Sequence, residues 1–266
     1  MAGSGYVSIV GAGPGAAEHL TLKALQCIEK ADVILYDALV GREIRALFPR
    51  GVVAIYCGKR CGQHSMSQEE IGQALVRLAQ KGKHVIRLKG GDPLVFGRGG
   101  EEAIVLRKAG VPFEIVPGLS AMNAIGALAG IPLTHRKVAR QVLVMEGHTI
   151  ARNPDELAKL GSYNGTLVIY MGTRLIQQIC LGLLAAGVPE SRAIALVESG
   201  SQGLASHLQI SDLRTVAQTG LSKQTDGPGL IYIGDVVGLL PGLQTPQVAV
   251  DCTEVQDDAL LAANLS

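Results

Sequence analysis

The sequence predicts an α/β protein made of two α/β domains with a ligand cleft between them. Three observations carry that reading. Short β-branched runs alternate with helical patterns along most of the chain, the signature of strands and covering helices. Of 266 residues, 47% are hydrophobic and 18% charged, which suffices for a packed core of one large or two medium domains. Glycine occurs 34 times and falls mainly just after the predicted strands. Ligands of open α/β sheets bind there, and glycine lets backbone approach them closely.

Val7–Val10 reads as the first strand. Leu22–Lys30 reads as a helix capped by Thr21, with Leu22, Leu25 and Ile28 on its apolar face. Val33–Tyr36 and Val52–Tyr56 are buried strands. Ser67-Gln68-Glu69-Glu70 is a capping box that opens a helix through Leu78. Lys83–Leu88 is a strand ending at Gly90-Gly91. Gly99–Lys108 is helical and stops at Gly110-Val111-Pro112. Phe113–Val116 is a short strand, followed by a small-residue helix over Leu119–Ala129.

Gly130 to Arg140 marks a boundary, with Gly-Ile-Pro and then the basic His135, Arg136, Lys137 and Arg140. The pattern then restarts. Strands are expected at Gln141–Glu146, Leu167–Tyr170, Ala193–Val197, Ala205–Ile210 and Leu230–Gly234, and helices at Thr173–Leu184 and Ser211–Gln218. The chain thus divides into an N-terminal domain (1–130), a C-terminal domain (131–240) and a Pro/Gln/Asp-rich tail (241–266), within which 257–263 has helical character.

Composition excludes several classes. A formal net charge of +1 argues against a general nucleic-acid binder, and 3% aromatic residues with no Trp disfavour base-stacking surfaces. No apolar run approaches a membrane span. Met1–Gly5 lacks the basic and apolar regions of a signal peptide, so a cytoplasmic protein is expected. Five cysteines without an export signal fit a reducing compartment rather than a disulfide framework. Cys57, Cys61 and His64 lack the spacing of a zinc or iron–sulfur site, and no metal is expected.

Three segments carry candidate chemistry. Gly11-Ala12-Gly13-Pro14-Gly15-Ala16 follows the first strand and satisfies a dinucleotide fingerprint, with Asp37 about 20 residues on. Two details oppose that reading. Pro14 removes an N–H from the loop, and the helical pattern begins only near Thr21, too late to offer its N-terminus to a pyrophosphate. The loop reads instead as a tight apolar turn against a neutral part of a ligand, or simply as a strand-ending turn. Lys89-Gly90-Gly91-Asp92-Pro93 through Arg98-Gly99-Gly100-Glu101 is glycine-rich without being a Walker loop. Arg98 offers a fork for carboxylates; the alternative is an exposed Arg98–Glu101 pair within one helical turn. Pro117-Gly118-Leu119-Ser120-Ala121 opens a helix whose hydroxyl and amides are placed to hold a ligand, but it is not a nucleophile elbow. Arg136 is a further carboxylate receiver, and His135 has no legible triad partner.

Together these segments resemble a known family. VxIVGAGPGxxxxLTxxAxxxIxxADVxxYDxLV from Val7, GKRxGxHSxxQxEI from Gly58, RLKGGDPxxFGRGGEE from Arg87 and VPGxSxxxAxxAxxGIPLTHR from Val116 occur in order. The chain is similar over about residues 6–240 to the uroporphyrinogen-III C-methyltransferases of the tetrapyrrole methylase superfamily, in their single-function form. The resemblance implies two α/β domains with S-adenosylmethionine in the cleft, a homodimer, and methylation of uroporphyrinogen III at C2 and C7 to give precorrin-2 for sirohaem- or cobalamin-type synthesis. S-adenosylhomocysteine would be the second product. Cofactor contacts would fall on Pro14, Gly90, Gly91, Asp92, Val95, Ser120, Ala121 and Met171, with Gly200, Pro228 and Gly229 in the second half. Tetrapyrrole contacts would fall on Arg98, Glu101, Arg136 and Met171, and Arg98 and Asp37 are the residues to test first for catalysis.

The implied chemistry suits these residues. An octacarboxylate substrate needs local arginines, not a basic protein, and electron-rich pyrroles attack a sulfonium methyl without a Ser or Cys nucleophile. Three rivals remain: a nucleotide-dependent dehydrogenase built on Gly11, Gly13, Ala16 and Asp37, a sibling methyltransferase with another acceptor, and a non-catalytic tetrapyrrole or cofactor binder.

Overall fold

A computed structural model describes residues 5–58, 66–199 and 205–239. Two five-stranded sheets organise it. The first contains β1 (Tyr6–Gly11), β2 (Val33–Tyr36), β3 (Val53–Tyr56), β4 (His84–Lys89) and β5 (Phe113–Val116), in the order β3-β2-β4-β1-β5. Every pairing in it is parallel. Helices α1 (Leu22–Glu29), α2 (Arg42–Ala46), α3 (Gln68–Gln80) and α4 (Gly99–Lys108) cover its faces.

Alternation along the strands sorts the core. Val7, Ile9, Val33, Leu35 and Val85 pack with Ile71 and Leu75 of α3 and Leu106 of α4. Val10, Ile34, Ile86 and Leu88 point the other way, onto Ala24, Cys27 and Ile28 of α1 and Ile44 of α2. Burial on both faces explains why β1, β2 and β4 read as continuous apolar runs. The expectation of a buried strand at Val52–Tyr56 is corrected, because β3 lies at the sheet edge and Val53 is 56% exposed. Two helix starts behave as their sequences predict. The Thr21 hydroxyl accepts from Ala24 N–H, and Ser67 with Glu70 forms the reciprocal capping box. The face of α1 is a correction: Leu22 is 81% exposed, because Ala24, Cys27 and Ile28 form the buried stripe.

The chain passes through α5 (Ala121–Leu128) to the second sheet: β6 (Val142–Glu146), β7 (Thr166–Tyr170), β8 (Ala193–Ser199), β9 (Ala205–Asp212) and β10 (Gly229–Ile233), ordered β6-β7-β10-β8-β9. Only β6 and β7 run parallel here; β10 is antiparallel to β7 and β8, and β9 to β8. One face packs on α6 (Gly147–Ala151), α7 (Pro154–Ala158), α8 (Ile176–Ala185) and α9 (Leu213–Thr219), the other on Ile125 of α5, Ile131 and Ala139. Helix α5 therefore docks on the second sheet although its first residue leaves a loop of the first.

Among the described residues no helix is long and apolar enough to cross a membrane. Cys57 is buried in the first core, while Cys61, His64 and the candidate helix at 257–263 lie outside the described residues.

Candidate active site

Loops of the first sheet converge beyond the carboxyl ends of its strands. Ala12 N–H donates to Lys89 O at 2.7 Å, and Gly13 and Gly91 exchange backbone hydrogen bonds at 3.1 and 2.7 Å. These contacts tie the loop after β1 to the loop after β4. The loop after β5 joins them, since Gly118 N–H donates to Asp92 Oδ2 at 3.2 Å. The other Asp92 oxygen accepts from Leu94 N–H at 2.8 Å. Asp92 therefore spends both oxygens shaping loops. A Cβ on Gly118 would stand 2.4 Å from the Gly91 carbonyl oxygen, so only glycine permits this crossing.

The loop after β2 closes a third side. Asp37 Oδ1 accepts from Leu39 N–H at 3.1 Å and from Gly90 N–H at 3.4 Å. Its Oδ2 lies 3.9 Å from an Arg87 guanidinium nitrogen. Below, Arg87, Lys89 and Glu102 form a buried cluster: one Glu102 oxygen accepts from Arg87 Nε and Lys89 Nζ at 3.1 Å each and from Gln68 at 2.9 Å. Burial, reinforced by the Arg87 charge, lowers the Lys89 pKa despite the Glu102 carboxylate.

The converged loops leave a cradle. Gly91 has φ +69°, and only Ala121 N, at 3.9 Å, comes within reach of a Cβ built there. Pro14 is half-buried in the first loop, and helix α1 starts only at Leu22. Helix α1 therefore offers no N-terminus to the first loop, which disfavours the dinucleotide reading of Gly11–Ala16; the helix start that comes near these glycines is that of α5, at Ala121. Backbone amides and carbonyls, the half-buried Val95 and the small Ala121 complete the lining, a set that fits the amino acid and nucleoside parts of S-adenosylmethionine.

The second sheet supplies the facing edge. Gly229 opens β10 beside the end of β7, where Met171 follows Tyr170, and a Cβ on Gly229 would meet the Thr173 side chain at 2.8 Å. Pro228 accepts from Ser199 N–H at 2.9 Å. Met171, Pro228 and Gly229 thus share one edge; Gly200 lies outside the described residues. The two halves touch through Tyr170. Its hydroxyl is 2.9 Å from Ser120 Oγ and accepts from Met122 N–H at 2.9 Å, and its ring packs against Phe96 with centroids 4.9 Å apart.

Backbone strain marks the same junction. Among the described residues, the non-glycine positions with positive φ are Phe96 (52°), Arg98 (60°) and Met171 (55°). Two sit in the loop that leads into α4, and the third at the end of β7. Such conformations cost free energy and persist where the surroundings enforce them, commonly at ligand sites. The left-handed Arg98 turns its side chain onto Glu101 in a two-point pair, Nε to Oε1 at 2.9 Å and a terminal nitrogen to Oε2 at 2.7 Å. The pair lowers the Glu101 pKa and remains about half exposed, so a stronger carboxylate partner can compete for the fork.

Arg136 is not at this junction. It lines an open cavity of about 240 Å³ with Lys137, Val138, Arg140, Gln141 and Asn164. Gln141 and Asn164 precede β6 and β7, whereas Met171 follows β7, so the five-residue strand, roughly 16 Å, separates Arg136 from Met171. Helix α5 carries the chain to the opposite end of the second sheet before Arg136 is reached, so Arg136 stands about one strand length from Met171. His135 is exposed beside it, accepting from Lys137 N–H at 3.4 Å.

Sequence reasoning missed Tyr170, Phe96 and the Glu102 cluster. The signal for Glu102 was a carboxylate one helical turn into α4, but only the fold shows it turned inward beneath β4.

Comparison with known proteins agrees with this arrangement. Residues 6–208 match the family described as Tetrapyrrole (Corrin/Porphyrin) Methylases. The chain is 47% identical over 236 residues to siroheme synthase of Escherichia coli K12, covering 88% of this chain and 51% of that protein. It thus spans about half the length of the curated relatives it matches. Among solved structures, uroporphyrin-III C-methyltransferase from Thermus thermophilus superposes with a TM-score of 0.75 at 38% identity, over 92% of this chain and 99% of the other. A uroporphyrin-III C-methyl transferase from Thermus thermophilus complexed with S-adenosylhomocysteine gives 0.73 at 35% identity, over 88% and 93%. With a family match over three quarters of its length and two sheets in the same arrangement, the chain belongs to the tetrapyrrole methylases.

Proposed function

We propose that this protein methylates uroporphyrinogen III at C2 and C7 with S-adenosylmethionine, giving precorrin-2 and S-adenosylhomocysteine for sirohaem- or cobalamin-type synthesis. The observation that carries the reading is the junction at Tyr170. There the loops beyond the first sheet contact the end of β7, and Phe96, two residues before the exposed Arg98, packs on the Tyr170 ring. On this reading the chain divides at 130/131 into two domains with a tail from 241, and works as a homodimer in the cytoplasm.

When bound, S-adenosylmethionine supplies an electrophilic methyl on a sulfonium centre. The chain does the rest. Pro14, Gly90, Gly91, Asp92, Val95, Ser120 and Ala121 hold the donor from the first half. Met171, Pro228 and Gly229 face it from the second, and Gly200 belongs to the same set. Arg98 exchanges its Glu101 partner for a substrate acetate or propionate, with Glu101 and Met171 bounding the macrocycle. A guanidinium stays protonated, so Arg98 orients rather than accepts a proton. Asp37, held by two backbone N–H groups and partly exposed, is the group placed to take the proton from the methylated ring carbon. Rate enhancement comes from holding ring carbon, methyl and sulfur in line and from excluding water.

The test is incubation of purified protein with S-adenosylmethionine and enzymatically made uroporphyrinogen III, followed by mass analysis. Two added methyl groups per macrocycle are expected. No added methyl with this acceptor, alongside turnover of a later corrin precursor, would move the protein to a sibling activity.

A further inference from the structure

Helix α5 begins without a cap of its own. Ser120 occupies the N-cap position, yet its hydroxyl accepts nothing from the first turn. The free N–H groups of a helix start need partners. Here one comes from the other half of the molecule. Met122 N–H donates to the Tyr170 hydroxyl, and the same hydroxyl shares a hydrogen bond with Ser120 Oγ, both at 2.9 Å. Tyr232 donates its hydroxyl to Met122 O, also at 2.9 Å. Tyr232 thus ties a carbonyl of α5 to the second sheet, whereas Tyr170 meets an N–H of the first turn and the Ser120 hydroxyl. Burial raises the Tyr170 pKa, so the phenol keeps its proton and can donate once while accepting once. Phe96, in its strained conformation, holds the ring in place.

We propose that Tyr170 is a positioning residue for the methyl donor: capping α5 from the second sheet, it fixes the Ser120–Ala121 backbone against which the donor binds. The proposal rests on the donor-site reading above. It makes donor affinity depend on the contact between the halves, although Tyr170 itself lies behind Ser120.

The test is Tyr170→Phe, which keeps the ring against Phe96 and removes both hydrogen bonds. The dissociation constant for S-adenosylhomocysteine by calorimetry, and the KM for S-adenosylmethionine, should each rise about tenfold, the factor expected for lost hydrogen bonds of ordinary strength. At saturating donor kcat should stay within about twofold, and the tetrapyrrole KM should not move. Tyr232→Phe is the structural control: it removes a neighbouring bond between the halves and should lower Tm without moving donor affinity. Unchanged affinity in Tyr170→Phe, or an equal loss in Tyr232→Phe, overturns the proposal. Should Tyr170→Phe not fold, amide exchange in the wild-type protein decides: donor binding must slow exchange at Met122, and unchanged exchange overturns the role. If wild-type protein fails to bind S-adenosylhomocysteine, the donor-site reading itself falls. If Ala121→Leu abolishes binding while Tyr170→Phe leaves it intact, only the Tyr170 role falls.

Discussion

Lys89 Nζ and Glu102 Oε1 lie 3.1 Å apart in a fully enclosed ion pair directly before the Gly90–Gly91 loop. Arg87 shares the same oxygen, and the second Glu102 oxygen is buried without a partner. Glu102 therefore meets two buried cations at the base of the loop that forms the cradle, with Asp37 as a more distant second partner of Arg87 at 3.9 Å. Glu102→Ala should destabilise the protein by about 3–5 kcal/mol, the cost of leaving buried charge uncompensated. Urea unfolding checks this, and a loss under about 1 kcal/mol would mean that water already solvates the cluster.

Arg98 and Glu101 form the opposite kind of pair, half exposed and local to one turn. Such pairs contribute little to stability. Arg98→Ala should leave Tm unchanged and S-adenosylhomocysteine affinity within about twofold. Turnover of the tetrapyrrole should fall roughly 100-fold, as a lost charge-assisted contact to a bound carboxylate implies. Steady-state kinetics beside calorimetry separate the two effects, and near-normal turnover would remove Arg98 from the substrate site.

Asp92 works through backbone. Its two oxygens fix Leu94 and Gly118, and with them the spacing of two loops. Asp92→Ala should weaken donor binding by about tenfold or more, with the substrate KM less affected. Pro14→Leu should act on the same constant. Calorimetry with S-adenosylhomocysteine is the readout, and unchanged affinity in both variants would argue that the donor does not contact these loops.

A pH dependence arises far from the cleft. Burial raises the Glu114 pKa, but hydrogen bonds from Ser8 and Lys23 outweigh it and leave the carboxyl below its ordinary value. A carboxylate with a depressed folded pKa stabilises the protein above its unfolded pKa, about 4.3, and loses that contribution as pH falls through the folded value. Wild-type protein should therefore exceed Glu114→Gln in urea midpoint at pH 7, and the gap should close on acidification below pH ~4. A gap that stays constant down to pH ~3 would assign the difference to packing instead.

Much of the fold was legible because burial writes itself into strands. Val33–Tyr36, Phe113–Val116 and Gly99–Lys108 begin and end where apolar runs, glycines and prolines predict. Partners were not legible: Gly229–Ile233 reads as a strand, but nothing in its residues tells that it runs antiparallel between β7 and β8. The five-residue helices Gly147–Ala151 and Pro154–Ala158 are too short for periodicity to register. Of the site, glycine-rich loops after strands were visible, whereas positive φ at Phe96, Arg98 and Met171 was not, since these residue types seldom adopt it. The Tyr170 contact lay hidden because it joins residues 48 and 50 positions apart. The place of Arg136 was hidden for the converse reason: a basic residue near the boundary says nothing about which end of a sheet it reaches.

The most direct measurement is a crystal structure of the protein with S-adenosylhomocysteine. Density should lie against Gly90–Asp92 and Ser120–Ala121, with Met171 and Gly229 on its far side and the sulfur facing the Arg98 opening. Density elsewhere, or a ligand touching only one of the two sheets, would contradict the assignment of the donor to the junction at Tyr170.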